Sequence, residues 1–373
     1  MPPTASAQTP LAKAFDPTAR PDRLLRAGLW VLTGIVVGVA VHDLLAGYPI
    51  AVDIQIPLRA TSRWLAGGQP YLASSFLAPV GPDLPFLYPP FLLPVIAVLT
   101  FLPETVVVAA WLAVLVGAAA WTCRRLAVPW VWVPAVLLWP PFFEALLGGN
   151  VQILLFAAFI GLMYGRPDRD TPFHPLERQI GGTDRPVWLD GLLAVVNPAI
   201  KPSQAQPWVL LLRRRPRAAL AGALIVGVAV LATLPLTGIS AWFDWLAQLG
   251  RASDPSWIYG GAGLARGLSA IAGLVLATTT TVAAFLLPRR SGAAWLGILM
   301  IVGSPSLRMF GLLTLLPGML TVRREVALLA ALCIASYTLA GLWLGVLLVS
   351  VALGLGTRRP AWLELRATLG DRP

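Results

Sequence analysis

The stretch Glu104–Arg125 reads ETVVVAAWLAVLVGAAAWTCRR, an apolar run without charge from Thr105 to Cys123 that opens with a glutamate and is closed by two arginines. A helix needs about 20 apolar residues to cross a bilayer, and this run is long enough. The rest of the 373-residue chain has the same character, because 57% of its residues are hydrophobic and 12% are charged, and its mean hydropathy is +0.75. Soluble domains carry about a quarter charged residues. The sequence therefore predicts an all-α, polytopic membrane protein.

The net charge of +11 is concentrated in short arginine clusters between apolar runs. Besides Arg124–Arg125, the clusters are Arg213–Arg215 with Arg217, Arg289–Arg290, Arg323–Arg324 and Arg358–Arg359. Such clusters are typical of the cytoplasmic loops of membrane proteins. Binding to nucleic acid would instead require a continuous basic face on a soluble module, so we expect no nucleic-acid partner.

Placing every arginine cluster in the cytoplasm predicts about twelve transmembrane helices with both termini inside. Residues 1–26 are then a disordered cytoplasmic tail, 27–356 the transmembrane domain and 357–373 a second cytoplasmic tail. The same alternation between the inside and the outside of the membrane predicts the placement of three further segments. Residues 88–103 dip into the outer leaflet, 238–263 form a Trp-containing outer loop, and 325–356 fold as two spans that meet around Ala340 and Gly341.

Two pairs of apolar helices are too short to face lipid on their own. One pair meets around Lys201, between Arg185 and Arg213, and the other pair meets at Ser304-Pro305. A short hairpin exposed to lipid would leave backbone polar groups without partners. Each hairpin must therefore line a cavity within the protein, which we expect at the outer face of the membrane.

The first predicted outer loop begins with Asp53 and carries Arg59 and Arg63. The two arginines are four residues apart, so they share one face of a helix, and Leu58 and Leu65 give that helix an apolar side suited to the membrane interface. A carboxylate near two guanidinium groups would suit an anionic lipid head group beside a general base. The alternative is an interfacial helix whose arginines contact phospholipid head groups.

Six short motifs follow one another in the order and spacing of a known family. They are Asp53–Tyr71, Tyr88-Pro89-Pro90, Gly149-Asn150-Val151-Gln152, Lys201-Pro202, Arg213–Arg217 and Ser304-Pro305. In this respect the chain resembles glycosyltransferase family 87, multi-spanning enzymes of the GT-C class that use a polyprenyl-phosphate sugar, typically polyprenyl-phosphate mannose, as donor. The resemblance implies an inverting transfer of the sugar to an acceptor outside the cytoplasm.

The resemblance also implies catalytic roles. Asp53 occupies the position of the family's catalytic aspartate and would be the general base for the acceptor hydroxyl. The departing phosphate needs positive charge beside it. The candidates for that charge are Lys201, Arg59, Arg63 and Arg308.

Lys201 stands out because the chain has only two lysines and this one lies between apolar helices. A buried charge in a membrane is costly and usually functional, although a lysine can also extend its amine to the interface. Asn150 and Gln152 are candidates for hydrogen bonds to sugar hydroxyls, and Tyr88 for shaping the donor groove. The alternatives are a turn capped by asparagine and a helix start marked by proline.

The sequence departs from the family pattern after Ser304-Pro305, where related sequences carry Trp and His and this chain reads Ser-Leu-Arg-Met-Phe. Arg308 could replace the histidine at the donor phosphate; equally, donor specificity could differ or activity could be lost. His42 and His174 are interpreted as structural or solvated. Four further acids are alternative bases: Asp83, Glu104, Glu144 and Asp190.

These observations together predict a hexosyltransferase in the plasma membrane with its active site on the extracytoplasmic side. Its expected partners are a polyprenyl-phosphate sugar donor, a glycolipid or polysaccharide acceptor, and membrane lipid. We expect no cofactor and no metal, because no set of acids and histidines is clustered in the sequence. The alternatives are a transporter or flippase of polyprenyl-linked sugars, and a degenerate, non-catalytic member of the family.

Overall fold

The computed structural model describes residues 23–47, 49–77, 81–165, 177, 185–252, 254, 263–264, 270–287 and 292–370. The prediction of an N-terminal tail therefore lies outside the described residues, apart from 23–26, which begin the first helix. His174, Arg289 and Arg290 also lie outside them, as does most of the second half of the predicted loop 238–263.

Every regular element of the described residues is helical, which confirms the all-α prediction. The α-helices are α1 Arg23–Leu45, α2 Val52–Leu65, α3 Leu93–Ala97, α4 Glu104–Arg125, α5 Val133–Leu137, α6 Pro140–Gly148, α7 Gln152–Met163, α8 Val187–Ile200, α9 Gln206–Arg214, α10 Pro216–Ala252, α11 Ala270–Leu286, α12 Gly292–Val302, α13 Leu316–Thr321, α14 Arg324–Ala335 and α15 Leu339–Gly370. Short 3₁₀ turns are Ala73–Leu77, Pro90–Leu92, Val98–Phe101, Trp130–Trp132, Pro202–Gln204 and Met309–Leu315.

Three helical stretches in the described part of the chain are long and apolar enough to cross a membrane: Glu104–Arg125, Pro216–Ala252 and Leu339–Gly356. Their outer faces are apolar, since Leu224 and Leu231 on α10 are 68% and 69% exposed. Large apolar side chains exposed on a long helix suit lipid rather than water as the surrounding medium. Several other apolar helices are shorter, so the count of about twelve crossings stays a prediction.

The α10 helix bends at Gly238, whose φ of 72° and ψ of 158° lie outside the helical region and suit a residue without a side chain. Helix resumes after the bend and continues to Ala252, so this part of the predicted outer loop is helical rather than irregular. Two side chains hold it in place. Trp245 Nε1 donates to the Leu87 carbonyl at 2.9 Å, and Gln248 Nε2 donates to the Leu72 carbonyl at 3.2 Å.

The short helices α8 and α9 form the predicted hairpin, with the turn at residues 201–205. Its base is fixed by a buried ion pair, in which Arg215 Nη1 donates to Asp190 Oδ2 at 2.5 Å. The hairpin packs closely on α10, because a Cβ added to Gly191 would lie 2.3 Å from the Ala218 carbonyl oxygen. No larger residue fits there without moving backbone, so α8 and α10 approach each other closely at Gly191.

The break between α14 and α15 lies at residues 336–338, where Tyr337 has a left-handed φ of 55°. The expected position around Ala340 and Gly341 is therefore wrong by a few residues. Gly341 serves a packing role instead, since an added Cβ would lie 2.3 Å from the Cys333 carbonyl oxygen. The α15 helix then continues without interruption past residue 356, the predicted end of the domain, to Gly370.

Two buried clusters flank the region where the candidate residues meet. The larger is built around α7, whose Phe156, Phe159 and Ile160 are fully buried. The smaller joins α2 to the first loop through Tyr71 and Phe86. The start of α2 and the turn between α6 and α7 lie between them, and this is where Asp53 is found.

Candidate active site

Asp53 lies in the first turn of α2, and the chain just before it is locked onto the α6–α7 turn. Ala51 adopts a left-handed φ of 56°, and its N–H donates to the Leu147 carbonyl at 2.8 Å. Gly149, with a φ of 69°, packs so closely that an added Cβ would lie 2.9 Å from Ala51 Cα. Trp111 Nε1 donates to the Gly149 carbonyl at 2.7 Å. The Asp53 carboxylate is thereby fixed against the Gly-Gly-Asn turn.

Asn150 links this turn directly to the carboxylate. Its Nδ2 donates to Asp53 Oδ2 at 2.5 Å, and its Oδ1 accepts the backbone N–H of Gln152 at 2.8 Å. Because the amide group is held at both ends, its donor must face Asp53. Asn150 is buried, so the hydrogen bond to a carboxylate is shielded from water.

Lys201 reaches the same turn from the tip of the α8–α9 hairpin. Its Nζ donates to Gln152 Oε1 at 2.9 Å and lies 5.2 Å from the centre of the Phe310 ring. Gln204 Nε2 donates to the same Gln152 oxygen at 3.1 Å. Three segments far apart in sequence therefore join Asp53 to Lys201 through Asn150 and Gln152.

The electrostatics of this group follow from its burial. Burial raises the pKa of Asp53, while the hydrogen bond from Asn150 and then the charges of Lys201 and Arg308 oppose the rise. Burial lowers the pKa of Lys201 to about 8, with Asp53 opposing the change. The carboxylate is a stronger base than an exposed aspartate, and the lysine keeps its proton at neutral pH.

Arg308 and Tyr88 also belong to this neighbourhood. Arg308 directly precedes the 3₁₀ turn Met309–Leu315, and its charge acts on both Asp53 and Glu144. Tyr88 is close enough for Asp53 to act on its hydroxyl, and its carbonyl accepts the Tyr71 hydroxyl at 2.7 Å. Of the predicted site residues, six are thus brought together: Asp53, Tyr88, Asn150, Gln152, Lys201 and Arg308.

Arg59 and Arg63 lie farther along α2. At 1.5 Å per residue, they are about 9 Å and 15 Å from Asp53 along the helix axis. Arg59 Nη1 pairs with Asp83 Oδ1 at 3.3 Å, and both side chains are well exposed. Arg59 is thus exposed on α2, whereas Arg63, one turn further along, is half-buried. Their predicted role at the donor phosphate stays a prediction.

The four alternative bases are placed very differently. Asp83 is exposed beside Arg59, Asp190 is buried in its ion pair with Arg215, and Glu104 is exposed in the first turn of α4. The charges of Arg308 and Asp53 both act on Glu144, which places this acid near the Asp53 group.

The sequence interpretation missed Gln204, although its position three residues after Lys201 placed it within one turn of the hairpin tip. Several buried amide atoms around the tip have no hydrogen-bond partner within the described residues: Gln152 Nε2, Gln204 Oε1, Gln206 Oε1 and Asn197 Oδ1. Buried polar atoms in native proteins are normally satisfied. A hydroxyl-rich ligand or water would meet this need.

A cavity of about 680 Å³ lies elsewhere, lined by Trp121, Arg125, Gly161, Gly165, Arg185, Leu189 and Leu193. Gly161 is nine residues after Gln152 on α7, which is about 14 Å along the helix. The two arginines that line this cavity donate to backbone carbonyls, Arg125 to that of Tyr164 and Arg185 to that of Gly161. This cavity is separate from the Asp53 group, and the outer-face cavity expected from the sequence stays a prediction.

Comparison with known proteins bears on the whole arrangement. The family model "Glycosyltransferase family 87" matches residues 86–305, which is more than half of the chain. The chain belongs to glycosyltransferase family 87. The matched region contains Tyr88, Asn150, Gln152 and Lys201, whereas Asp53 precedes it and Arg308 follows it. The family resemblance noted from the motifs is thereby confirmed.

One curated relative is the polyprenol-phosphate-mannose-dependent alpha-(1-2)-phosphatidylinositol mannoside mannosyltransferase of Mycobacterium tuberculosis (strain ATCC 25618 / H37Rv). It is 28% identical over 253 residues, covering 61% of this chain and 55% of the relative. The chain thus matches about half the length of that relative. No solved structure matches the chain. In the described residues, no group of three or more His, Cys, Asp or Glu side chains could hold a metal ion.

Proposed function

We propose that this chain is an inverting glycosyltransferase of the plasma membrane. It transfers a sugar, mannose in the first instance, from a polyprenyl phosphate to a hydroxyl of a glycolipid or polysaccharide on the extracytoplasmic side. The observation that carries the proposal is the hydrogen-bonded path from the Asp53 carboxylate through Asn150 and Gln152 to the Lys201 ammonium group. The mycobacterial relative, named for its polyprenol-phosphate-mannose dependence, supports this class of donor.

In the proposed reaction, Asp53 accepts the proton of the acceptor hydroxyl while that oxygen attacks the anomeric carbon. The bond between the anomeric carbon and the phosphate oxygen breaks, and polyprenyl phosphate leaves with the electron pair. Asn150 occupies Oδ2 of Asp53, so the proton goes to Oδ1. The burial that raises the pKa of Asp53 favours this transfer. Attack from the face opposite the phosphate inverts the anomeric configuration.

The leaving phosphate gains charge as the bond breaks, and two cations are available to stabilise it. Lys201 is half-buried at the hairpin tip, and Arg308 acts on Asp53 from the segment after Ser304-Pro305. Fixed charges in a site shielded from water stabilise such a transition state strongly. Arg308 stands in the segment where related sequences carry histidine, and its charge acts on Asp53, so in this proposal it takes the place of that histidine at the phosphate.

The donor sugar would lie over the amide groups beside Lys201. Gln152 Nε2 is an unpaired donor and Gln204 Oε1 an unpaired acceptor among the described residues, so together they match a sugar hydroxyl, which both donates and accepts. The prenyl chain would follow the broken helix after Tyr88, whose Val95, Val98 and Phe101 are exposed. This keeps the phosphate near Lys201 and the lipid tail outside the polar group.

The test is sugar transfer by the purified protein in nanodiscs with radiolabelled polyprenyl-phosphate mannose. Asp53→Asn is expected to lower turnover by about 10² to 10⁴-fold, the usual contribution of a general base, while donor binding is retained. Asp83→Asn is the matched control, because Asp83 is an exposed aspartate of the same loop, and it should keep turnover. Unchanged turnover in Asp53→Asn would remove the assignment.

Two other outcomes point to the alternatives. If wild-type protein transfers no sugar but moves the labelled donor across a vesicle bilayer, the chain is a transporter or flippase. If a stably folded wild-type protein neither transfers nor moves any polyprenyl sugar, it is a non-catalytic member.

A further inference from the structure

Glu144 is a carboxylate of the Asp53 site that neither the motifs nor the proposed reaction uses. It lies on α6, one helical turn before Gly148. A Cβ added to Gly148 would lie 3.5 Å from Asp53 Oδ2, so this face of α6 looks onto the Asp53 carboxylate. Residues four apart share a helix face, which places Glu144 one turn further along the same wall.

The carboxylate of Glu144 is not satisfied by its surroundings. Its Oε2 is buried and has no hydrogen-bond partner among the residues that the structure describes. The charged groups that act on it are Arg308, which attracts it, and Asp53 and Asp43, which repel it. A buried carboxylate oxygen beside two other acids is costly unless a ligand donates to it.

The chemistry of that ligand is restricted by charge. Burial raises the pKa of Glu144 to about 7, with Arg308 opposing the rise, so a fraction of Glu144 is ionised at neutral pH and disfavours an anion. The anionic part of the donor belongs at the Lys201 end of the site, where amide groups and the ammonium lie. Glu144 lies beyond Asp53 in the other direction along the wall, since Asn150 and Gln152 lead from Asp53 toward Lys201. The neutral, hydroxyl-rich acceptor must approach Asp53, and its neighbouring hydroxyls would reach this region.

We propose that Glu144 binds the acceptor, accepting a hydrogen bond from a hydroxyl next to the one that Asp53 deprotonates. This inference rests on the proposed function, because it assumes that Asp53 faces a sugar acceptor. It makes Glu144 a substrate-binding residue that sets which acceptor hydroxyl is glycosylated, and Asp53 remains the base.

The probe is octyl α-mannoside as acceptor, with its monodeoxy analogues, and radiolabelled polyprenyl-phosphate mannose as donor. Glu144→Ala should raise the KM for octyl mannoside about 10- to 100-fold, as expected for a lost hydrogen bond to a charged group, and leave the KM for the donor within about twofold. Glu144→Gln, whose amide oxygen still accepts a hydrogen bond, should have a KM for octyl mannoside between those of wild type and Glu144→Ala. Glu104→Gln, at an exposed carboxylate, is the control and should match wild type.

The deoxy series makes the test specific. With the acceptor that lacks the recognised hydroxyl, the KM for the acceptor should rise about 10- to 100-fold in wild type. In Glu144→Ala the same deoxy acceptor should cause no further rise, because the two changes remove the same contact. An equal deoxy penalty in both proteins, or a raised KM for the donor in place of the acceptor, would overturn the inference. Should Glu144→Ala fail to fold, the intermediate loss in Glu144→Gln carries the test. Failure of wild type to glycosylate any acceptor would count against the proposed function itself.

Discussion

Replacing Lys201 with arginine tests whether the buried ammonium group supplies the charge that the departing phosphate needs. Burial lowers the pKa of Lys201 to about 8, so its charge is present below that pH and is lost as pH rises through it. At pH 9 about one lysine in eleven keeps its proton, which predicts about a tenfold loss of turnover relative to the plateau. An arginine keeps its charge far above this pH, so Lys201→Arg should hold its own plateau through pH 9.

The assay is initial rate of transfer from radiolabelled polyprenyl-phosphate mannose, measured at half-unit steps from pH 5 to pH 10 and normalised to each variant's maximum. Normalisation removes the loss that arises because the longer guanidinium group meets Gln152 differently. The chain's other lysine provides the matched control, so Lys13→Arg should keep the wild-type alkaline limb.

The acid limb has a different origin and should not move. Burial raises the pKa of Asp53, so the base is active above that pKa and turnover falls as pH decreases through it. An alkaline limb that is identical in wild type and Lys201→Arg would refute the assignment of Lys201 as the charged partner of the phosphate.

Two further predictions concern the turn that holds the base. Asn150→Ala removes the hydrogen bond that lowers the pKa of Asp53, so the acid limb of the pH–rate profile should move to higher pH. An acid limb that does not move would show that Asn150 does not contact the catalytic carboxylate. Gly149→Ala places a Cβ 2.9 Å from Ala51 Cα at a φ of 69°, so the thermal unfolding midpoint of this variant should fall, consistent with about 1–3 kcal/mol of backbone strain. Gly117→Ala, at an open helical position, is the control and should not lower the midpoint.

The helical fold and the central residues of the site could be predicted from the sequence because their signals are local. An apolar run ending in Arg124 and Arg125 specifies a helix, and Lys201 between two short apolar runs specifies a charge at a hairpin tip. The order of the motifs placed Asp53, Asn150 and Gln152 in one family framework. The structure adds the contacts that join them.

The roles of Arg59 and Arg63 could not be judged from their spacing alone. They are four residues apart and share a helix face, but they follow Asp53 by six and ten residues, and neither interval returns to its face of the helix. The contact between Arg59 and Asp83 depends on how the first loop folds back, which no local pattern encodes. Helix breaks were misplaced for a similar reason, since Tyr337 takes a left-handed conformation that sequence does not favour.

Gln204 was overlooked, and Glu144 was named only as an alternative base, because the importance of both depends on packing. Glu144 lies in the middle of α6 and Gln204 lies in the turn of the hairpin. Only the approach of α6 to α2, or of the hairpin tip to α7, gives each of them a partner or leaves an atom without one. A helical projection places Glu144 one turn before Gly148 on the same face of α6.

The attachment of Ala51 to Leu147 and Gly149 has a consequence for how bulky lipids reach the site. Asp53 is coupled to the α6–α7 turn on both sides, so the start of α2 cannot swing aside as a gate without separating the base from Asn150. In the proposed reaction, entry of a donor and departure of a product would therefore require motion of other segments, while Asp53 and Asn150 stay in place.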